Sequence, residues 1–333
     1  MANKTFAVLT SGGDAPGMNA CIRAIYLTAA SLNIHLIGFL HGYNGLLKSD
    51  YIRLNNHNTK GIIAIGGTLL KSARCVEFNQ PENLLKAANN LQALNIDCLI
   101  VIGGNGSLSG LYELKKIWFG QVIGIPGTID NDLFGSDYTI GYQTAIDTAV
   151  DAIDKLRDTA EAFERIFLVE VMGRNAGFIA LSCALASASE QALTPELVTD
   201  PHAELESIIA HVETVRQIEG QCSMIIVIAE NLWPGGVTDL ATTLTEQIGL
   251  ECRPCTLGHI QRGGRPVAFD RILASKLGCF AVQQAAAGED NLMVGEINQI
   301  MVTTDLATAV SHQKPLDTFM INMQQNIFEV YHG

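Results

Sequence analysis

Asp130 and Asp132 stand one residue apart in the stretch Pro126-Gly127-Thr128-Ile129-Asp130-Asn131-Asp132, directly after an apolar run at 122–125. That run reads as a buried strand ending in a Pro-Gly turn. In an open α/β sheet, ligands bind where strand ends meet loops. A threonine and two carboxylates at such a place suit the activation of a hydroxyl beside a metal-bound phosphate. They equally suit a polar turn whose Asx side chains bond their own backbone, so the heptapeptide alone leaves both readings open.

The same arrangement recurs along the chain. A strand predicted at 6–10 ends in Ser11-Gly12-Gly13-Asp14, and a strand at 97–104 ends in Asn105-Gly106-Ser107. A glycine turn between a strand and a helix offers bare backbone N–H groups to an anion, although a tight connection needs the same residues. Neither turn is a Walker loop or GxGxxG, because no lysine follows the glycines and their spacing is different. Arg74, in Ser72-Ala73-Arg74, could meet a phosphate or pair with an aspartate. A strand at 165–171 leads into Met172-Gly173-Arg174, one at 223–229 into Glu230, and residues 255–258 into His259-Ile260-Gln261-Arg262. Singly, His259 reads as a satisfied histidine, Met172 as core packing, and Arg165 and Arg253 as solvated charges. Together, Gly13, Arg74, Asn105, Thr128, Asp130, Asp132, Met172, Arg174, Glu230, His259 and Arg262 gather at strand ends. If the strands are parallel, these ends share one face of a sheet. The set suits phosphoryl transfer, which asks for positioning and charge neutralisation more than covalent chemistry.

Helices predicted at 19–32, 139–163, 175–188, 202–219, 237–249, 269–287 and 313–330 alternate with these strands. The alternation argues for two α/β lobes, each a parallel sheet covered by helices, and 333 residues is ample for two domains. A net charge of −13 argues against nucleic acid or an anionic membrane as partner. The longest apolar stretch, 166–186, is broken by Glu170 and Arg174, which excludes a membrane span. The first residues lack a charged leader with an apolar core. Eight cysteines in so long a chain read as reduced thiols of a cytoplasmic protein, and the lone Cys252-Arg253-Pro254-Cys255 has no second pair to complete a zinc site.

Five motifs in order resemble the bacterial 6-phosphofructokinases over about residues 6–285: residues 9–19 (LTSGGDAPGMN), 72–74 (SAR), 126–132 (PGTIDND), 169–174 (VEVMGR) and 257–264 (LGHIQRGG). The resemblance implies two Rossmann-like lobes. Residues 1–141 with 261–311 would bind the phosphoryl donor, and 142–260 with 312–333 the sugar phosphate. It implies a glycolytic kinase that moves phosphate to the 1-hydroxyl of fructose 6-phosphate, with ATP as co-substrate and Mg²⁺ as cofactor. Asp130 would accept the hydroxyl proton, Thr128 would sit near the transferred group, and Arg174 would neutralise its charge. Asp132, Met172, Gly173 and Glu230 would hold the sugar, and His259 and Arg262 its 6-phosphate. Arg165 and Arg253 would reach a neighbouring subunit's site, implying a homotetramer. Gly13, Arg74, Gly104, Asn105, Gly106, Ser107 and Gly110 would line the nucleotide site, with Asn105 and Asp132 as metal-ligand candidates.

Three departures matter. Asn105 replaces the aspartate of ATP-using relatives, removing a charge that magnesium prefers. Pyrophosphate-using relatives carry Asp and Lys where this chain has Gly106 and Gly127, and the two glycines leave room for a nucleoside. ATP is therefore the favoured donor, with pyrophosphate, or a catalytically weak regulatory subunit, as the alternatives. Finally, Arg23, Arg157 and Glu190 match the family's effector site, whereas Leu27, Asn56, Glu219 and Gln221 replace its basic residues; effectors are expected to act weakly or not at all. A nucleotide-dependent oxidoreductase is disfavoured by the missing GxGxxG and its acidic partner.

Overall fold

The computed structural model describes residues 4–330. The chain forms two compact units, one of Met1–Thr144 with Arg262–Lys314 and the other of Ala145–Gln261 with Pro315–Gly333.

In chain order the first unit begins with β1 (Thr5–Ser11), α1 (Met18–Ser31), β2 (His35–Phe39), α2 (Tyr43–Lys48), β3 (Tyr51–Arg53) and α3 (Asn56–Thr59). It continues with α4 (Pro81–Ala93), β4 (Cys98–Gly103), α5 (Asn105–Lys115) and β5 (Gln121–Pro126). Helix α6 (Tyr142–Phe163) carries the chain into the second unit. There follow β6 (Ile166–Val171), α7 (Phe178–Ala186), β7 (Gln191–Leu193), α8 (Pro201–Glu219), β8 (Met224–Ala229), α9 (Val237–Ile248) and β9 (Cys252–Thr256). The first unit resumes with α10 (Ala268–Ala287), β10 (Leu292–Ile297), β11 (Ile300–Asp305) and α11 (Leu306–Ser311), and α12 (Thr318–Val330) belongs to the second.

The first unit holds a seven-stranded sheet of order β11-β10-β5-β4-β1-β2-β3. Its centre is parallel, and the antiparallel pairs β2–β3 and β10–β11 close its edges. Strand β4 is buried along its whole length, the continuous apolar run expected where helices cover both faces. Leu108, Leu111 and Leu114 repeat along one side of α5 and join Val101, Val122 and Leu306 in one apolar cluster. Truncating any of these leucines to alanine would cost about 2–5 kcal/mol.

The second unit has a parallel four-stranded sheet of order β7-β8-β6-β9. Its apolar cluster includes Leu168, Ile226, Ile208, Val212, Leu240 and Leu244. Helix α8 is legible at both ends: the Asp200 side chain accepts from the His202 N–H, Pro201 opens the first turn, and Gly220 closes it at φ 75°.

Several local expectations shift. The helix expected from 139 begins at Tyr142, because residues 139–141 are drawn into the preceding loop; the one expected from 175 begins at Phe178. The strand ends do not share a single sheet face: they belong to two separate sheets, one in each unit.

Candidate active site

Register places the first unit's loops. Ser11 pairs with Gly103, and Gly103 with Pro126, so β1, β4 and β5 end level with one another. The three segments that follow, Gly12-Gly13, Gly104-Asn105 and Gly127-Thr128, are therefore neighbours. A Cβ on Gly104 would meet the Thr128 side chain at 3.4 Å, and one on Gly103 would lie 2.7 Å from the Ser11 carbonyl. Arg74 reaches the same edge because its segment is tied there. Ser72 Oγ donates to the Gly12 carbonyl (2.7 Å), and the Gly12 N–H donates to the Ala73 carbonyl (3.4 Å).

Asn105 opens α5, and the first turn of that helix has no acidic side chain to compete for its N–H groups. Such an end favours a bound anion. Around Gly106 a Cβ would meet nothing within 4 Å, whereas one on Gly127 would come within 2.7 Å of Ile102 Cγ2. The first glycine leaves open space; the second permits close packing of strand ends. Gly110 turns elsewhere. It is buried, and a Cβ there would press on Phe78 and Tyr43 at 3.1–3.4 Å. Those rings are stacked at 3.8 Å, and the Tyr43 hydroxyl donates to the Ser107 carbonyl (2.6 Å). Ser107 and Gly110 thus brace the start of α5 from within.

The 127–141 loop is fastened at many points. Gly127 bridges to Ile140. Thr139 Oγ1 donates to the Thr128 carbonyl (2.6 Å), and its N–H donates to Asn131 Oδ1 (3.0 Å). Asn131 sits at φ 55°, which asparagine tolerates better than most residues, and its Nδ2 donates to the Asp137 carbonyl (3.3 Å). The Asp130 N–H donates to Thr128 Oγ1 (3.2 Å). Lys314 Nζ donates to the Asp137 carbonyl as well (2.5 Å), and burial pushes its ammonium down to about 8 against the opposing pull of Asp137 and Asp132. Asp270, from α10, accepts from the Gly141 and Thr144 N–H groups at 2.8–2.9 Å and from Thr144 Oγ1 at 2.5 Å, and burial raises its carboxyl. Thr128 and Asp130 are buried, while Asp132 is partly open. Arg262 comes to this loop: its Nη2 lies 3.8 Å from Asp130 Oδ1, and its Nη1 donates to the Asp14 carbonyl (3.2 Å). It also packs on Gly13, where a Cβ would meet Nη1 at 2.6 Å.

In the second unit Val171 pairs with Ala229, and Glu170 with Thr256, so the ends of β6, β8 and β9 also lie level. Glu230 Oε1 accepts from the Arg174 N–H (2.7 Å) and the Gly173 N–H (3.3 Å). The Met172 N–H donates to Gln261 Oε1 (2.8 Å). Arg174 at φ 60° and Gly173 at φ 142° make the sharp turn that these acceptors hold. The Arg174 and His259 side chains are exposed. Arg165 and Arg253 converge on the carboxylate of Glu251, and the Arg165 guanidinium also covers the Phe163 ring at 4.4 Å. Arg157 pairs with Glu190 at 2.9 Å and donates to the Ser187 and Ala188 carbonyls.

Sequence reasoning passed over Asn131, Thr139 and Gln261. The first and last lie inside its own motifs, but a side chain that serves the backbone carries no chemical signature. Among the described residues no three His, Cys, Asp or Glu side chains cluster so as to hold a metal. No helix among them is long and apolar enough to cross a membrane.

Two parallel α/β units, each with level strand ends carrying polar loops, define an α/β protein whose first unit is equipped to bind anions. A family model described as Phosphofructokinase matches residues 5–285. The chain is 45% identical over 322 residues to the ATP-dependent 6-phosphofructokinase 1 of Thermus thermophilus, covering 97% of this chain and 98% of that one. Among solved structures it resembles the Pichia pastoris phosphofructokinase in the T-state, with a TM-score of 0.88 and 29% identity over 99% of this chain; it spans 37% of that longer chain. The pyrophosphate-dependent phosphofructokinase of Marinobacter aquaeolei shares the fold at TM-score 0.84 and 21% identity, covering 98% of this chain and 91% of that one. The chain belongs to the phosphofructokinase family.

Proposed function

We propose that this chain transfers the γ-phosphoryl group of ATP to the 1-hydroxyl of fructose 6-phosphate, forming the 1,6-bisphosphate and ADP. The observation that carries the reading is the level ending of β1, β4 and β5, which brings the glycine turns, the α5 N-terminus and Asp130 to one edge. Near-full-length identity to ATP-dependent relatives supports it. In this reading the sugar oxygen forms its bond to the γ-phosphorus as the bridge to the β-phosphate breaks, and Asp130 takes the hydroxyl proton late in a loose transition state. Gly13, Arg74, Gly104, Asn105 and Gly106 hold the nucleotide's phosphates, with Ser107 and Gly110 bracing the helix. Met172, Gly173, Arg174, Glu230 and His259 recognise the sugar phosphate. Arg262 serves the same substrate, and its contact with Asp130 ties that service to the base.

Magnesium usually binds through one or two carboxylates together with substrate phosphates and water. A donor set of partly open Asp132 and Asn105, with no complete protein cage among the described residues, fits that habit. The ion would supply charge neutralisation at the phosphate oxygens. Arg165 and Arg253, gathered on Glu251, are suited to serve a neighbouring subunit in a homotetramer. The same reading, that of a glycolytic kinase, carries the cytoplasm as its place of work.

Asn105 favours a second reading, pyrophosphate as donor, because it removes the charge expected beside a magnesium nucleotide. Open space at Gly106 argues for the nucleotide. Bisphosphate formation from fructose 6-phosphate and Mg²⁺, followed in parallel with ATP and with pyrophosphate, decides between them. Turnover with ATP alone upholds the proposal; turnover with pyrophosphate alone overturns the donor assignment. Silence with both moves the reading to a regulatory subunit, with Asn105→Asp as the rescue.

Effector control is expected to be weak. Arg157 is already engaged by Glu190 and two carbonyls, and the family's basic positions are held in this sequence by Leu27, Asn56, Glu219 and Gln221. Saturation curves for fructose 6-phosphate should superimpose with and without ADP or phosphoenolpyruvate; a clear shift refutes the expectation.

A further inference from the structure

Gln261 lies in the same short turn as His259, but its side chain points away from solvent and is wholly buried. Its Oε1 accepts from the Met172 N–H at 2.8 Å, and its Nε2 donates to the Ala145 carbonyl at 3.4 Å. Met172 is the first residue beyond β6, and Ala145 lies in the first turn of α6. One amide thus joins three segments far apart in sequence. The task needs an acceptor at one end of the side chain and a donor at the other, which a neutral amide supplies and a carboxylate or alkyl group does not. Glu230 takes the next two N–H groups, so the amides of residues 172–174 are held in succession by two side chains.

We infer that Gln261 is a positioning residue for the sugar phosphate, holding the Met172–Arg174 turn and the His259 turn in one fixed register through their backbones. This rests on the assignment of those turns to fructose 6-phosphate. Arg174 stands at φ 60° and Gly173 at φ 142°, a conformation the turn keeps only while its N–H groups are anchored. Release of the first anchor should therefore reach sugar-phosphate recognition before it reaches the donor.

The test uses Gln261→Glu and Gln261→Leu in the full chain, with KM measured separately for fructose 6-phosphate and ATP. In Gln261→Glu one oxygen still accepts from Met172, while the other faces the Ala145 carbonyl and can donate only when protonated. Burial raises such a carboxyl, so the variant should resemble the wild type near about pH 6. By about pH 8.5 its KM for fructose 6-phosphate should rise about tenfold, the worth of one good hydrogen bond, with KM for ATP within about a factor of two. Gln261→Leu should show the raised sugar-phosphate KM at both pH values. The wild type, which carries the same Glu230 and His259, corrects for every other titration. An equal rise in both KM values, or a Gln261→Glu variant whose split ignores pH, overturns the inference. Should the wild type transfer no phosphate, the proposed function fails, and amide exchange still reads Gln261. Faster exchange at Met172 in Gln261→Leu, with β6 and β8 unchanged, upholds the anchor; unchanged exchange removes it.

Discussion

The loop that carries Asp130 and the surface that carries Arg165 and Arg253 are built on opposite principles. In the loop, Thr128, Asp130, Asn131 and Thr139 are buried, and much of the local backbone is bonded by Thr139, Asn131, Lys314 and Asp270. On the other surface the Arg253 side chain is 54% exposed, and both it and Arg165 rest on one carboxylate. The proton transfer proposed for Asp130 needs a group fixed to a fraction of an ångström, which a bonded loop supplies. The phosphate recognition proposed for these arginines needs charge that can reach and let go, which long, at least partly exposed side chains supply.

The sharpest way to break this contrast is Asp130→Asn. In phosphorylation assays kcat should fall about 10²–10⁴-fold, the usual worth of a general base, with both substrates still binding. Next comes Thr139→Val, which keeps shape and removes the donor to the Thr128 carbonyl. Chemical denaturation should show a loss of about 1–3 kcal/mol from the unsatisfied acceptor, together with a lower kcat. Arg253→Ala should do the reverse. Its exposed pair contributes about 0–1 kcal/mol, so stability stays level while KM for fructose 6-phosphate rises several-fold. If Arg253→Ala unfolds the protein, or Thr139→Val leaves kcat untouched, the division of labour is wrong.

The smallest effect belongs to Lys314. Its ammonium falls from about 10.5 to about 8 on burial. A lysine whose folded value lies below its unfolded one costs stability while both states are protonated. That cost is relieved as pH rises from about 8 toward about 10.4, where the unfolded chain still binds the extra proton. Wild-type stability should therefore climb relative to Lys314→Met across that window and run parallel below it. Melting curves at several alkaline pH values would show a diverging pair or a constant gap.

Much of this was legible in the residues. Strands β4 and β5 announce themselves as apolar runs closed by glycine or Pro-Gly, and α8 carries its own start and stop. Strand β9 did not, since Pro254 demotes a run that survives only because β9 lies at the sheet edge. The β10–β11 hairpin escaped too. Gly295 and Glu296 interrupt its pattern, and its seat depends on distant partners: Gly295 packs on the Gly135 carbonyl, and the Glu296 N–H donates to Ser136 Oγ (3.1 Å). Asp130 could be read as a candidate from its type, spacing and motif. The residues that hold it could not, because Thr139 and Asn131 act on backbone groups whose positions exist only after folding. Arg262 shows the same limit. Its motif marks it as a phosphate ligand, and only the fold reveals that its guanidinium also meets Asp130.

The chain passes between the two units at 144/145, 261/262 and 314/315. Neither unit is a single length of polypeptide, and this governs the order in which a ribosome can deliver them. The β6–β9 sheet has all its strands once residue 256 has emerged, while the larger sheet, begun first, waits for β10 and β11 at 292–305. Until then the flank of β5 that β10 will occupy is an open sheet edge, exposed to pairing with other nascent chains. The smaller sheet is thus the earlier to close, and the domain that starts the chain is among the last to be finished.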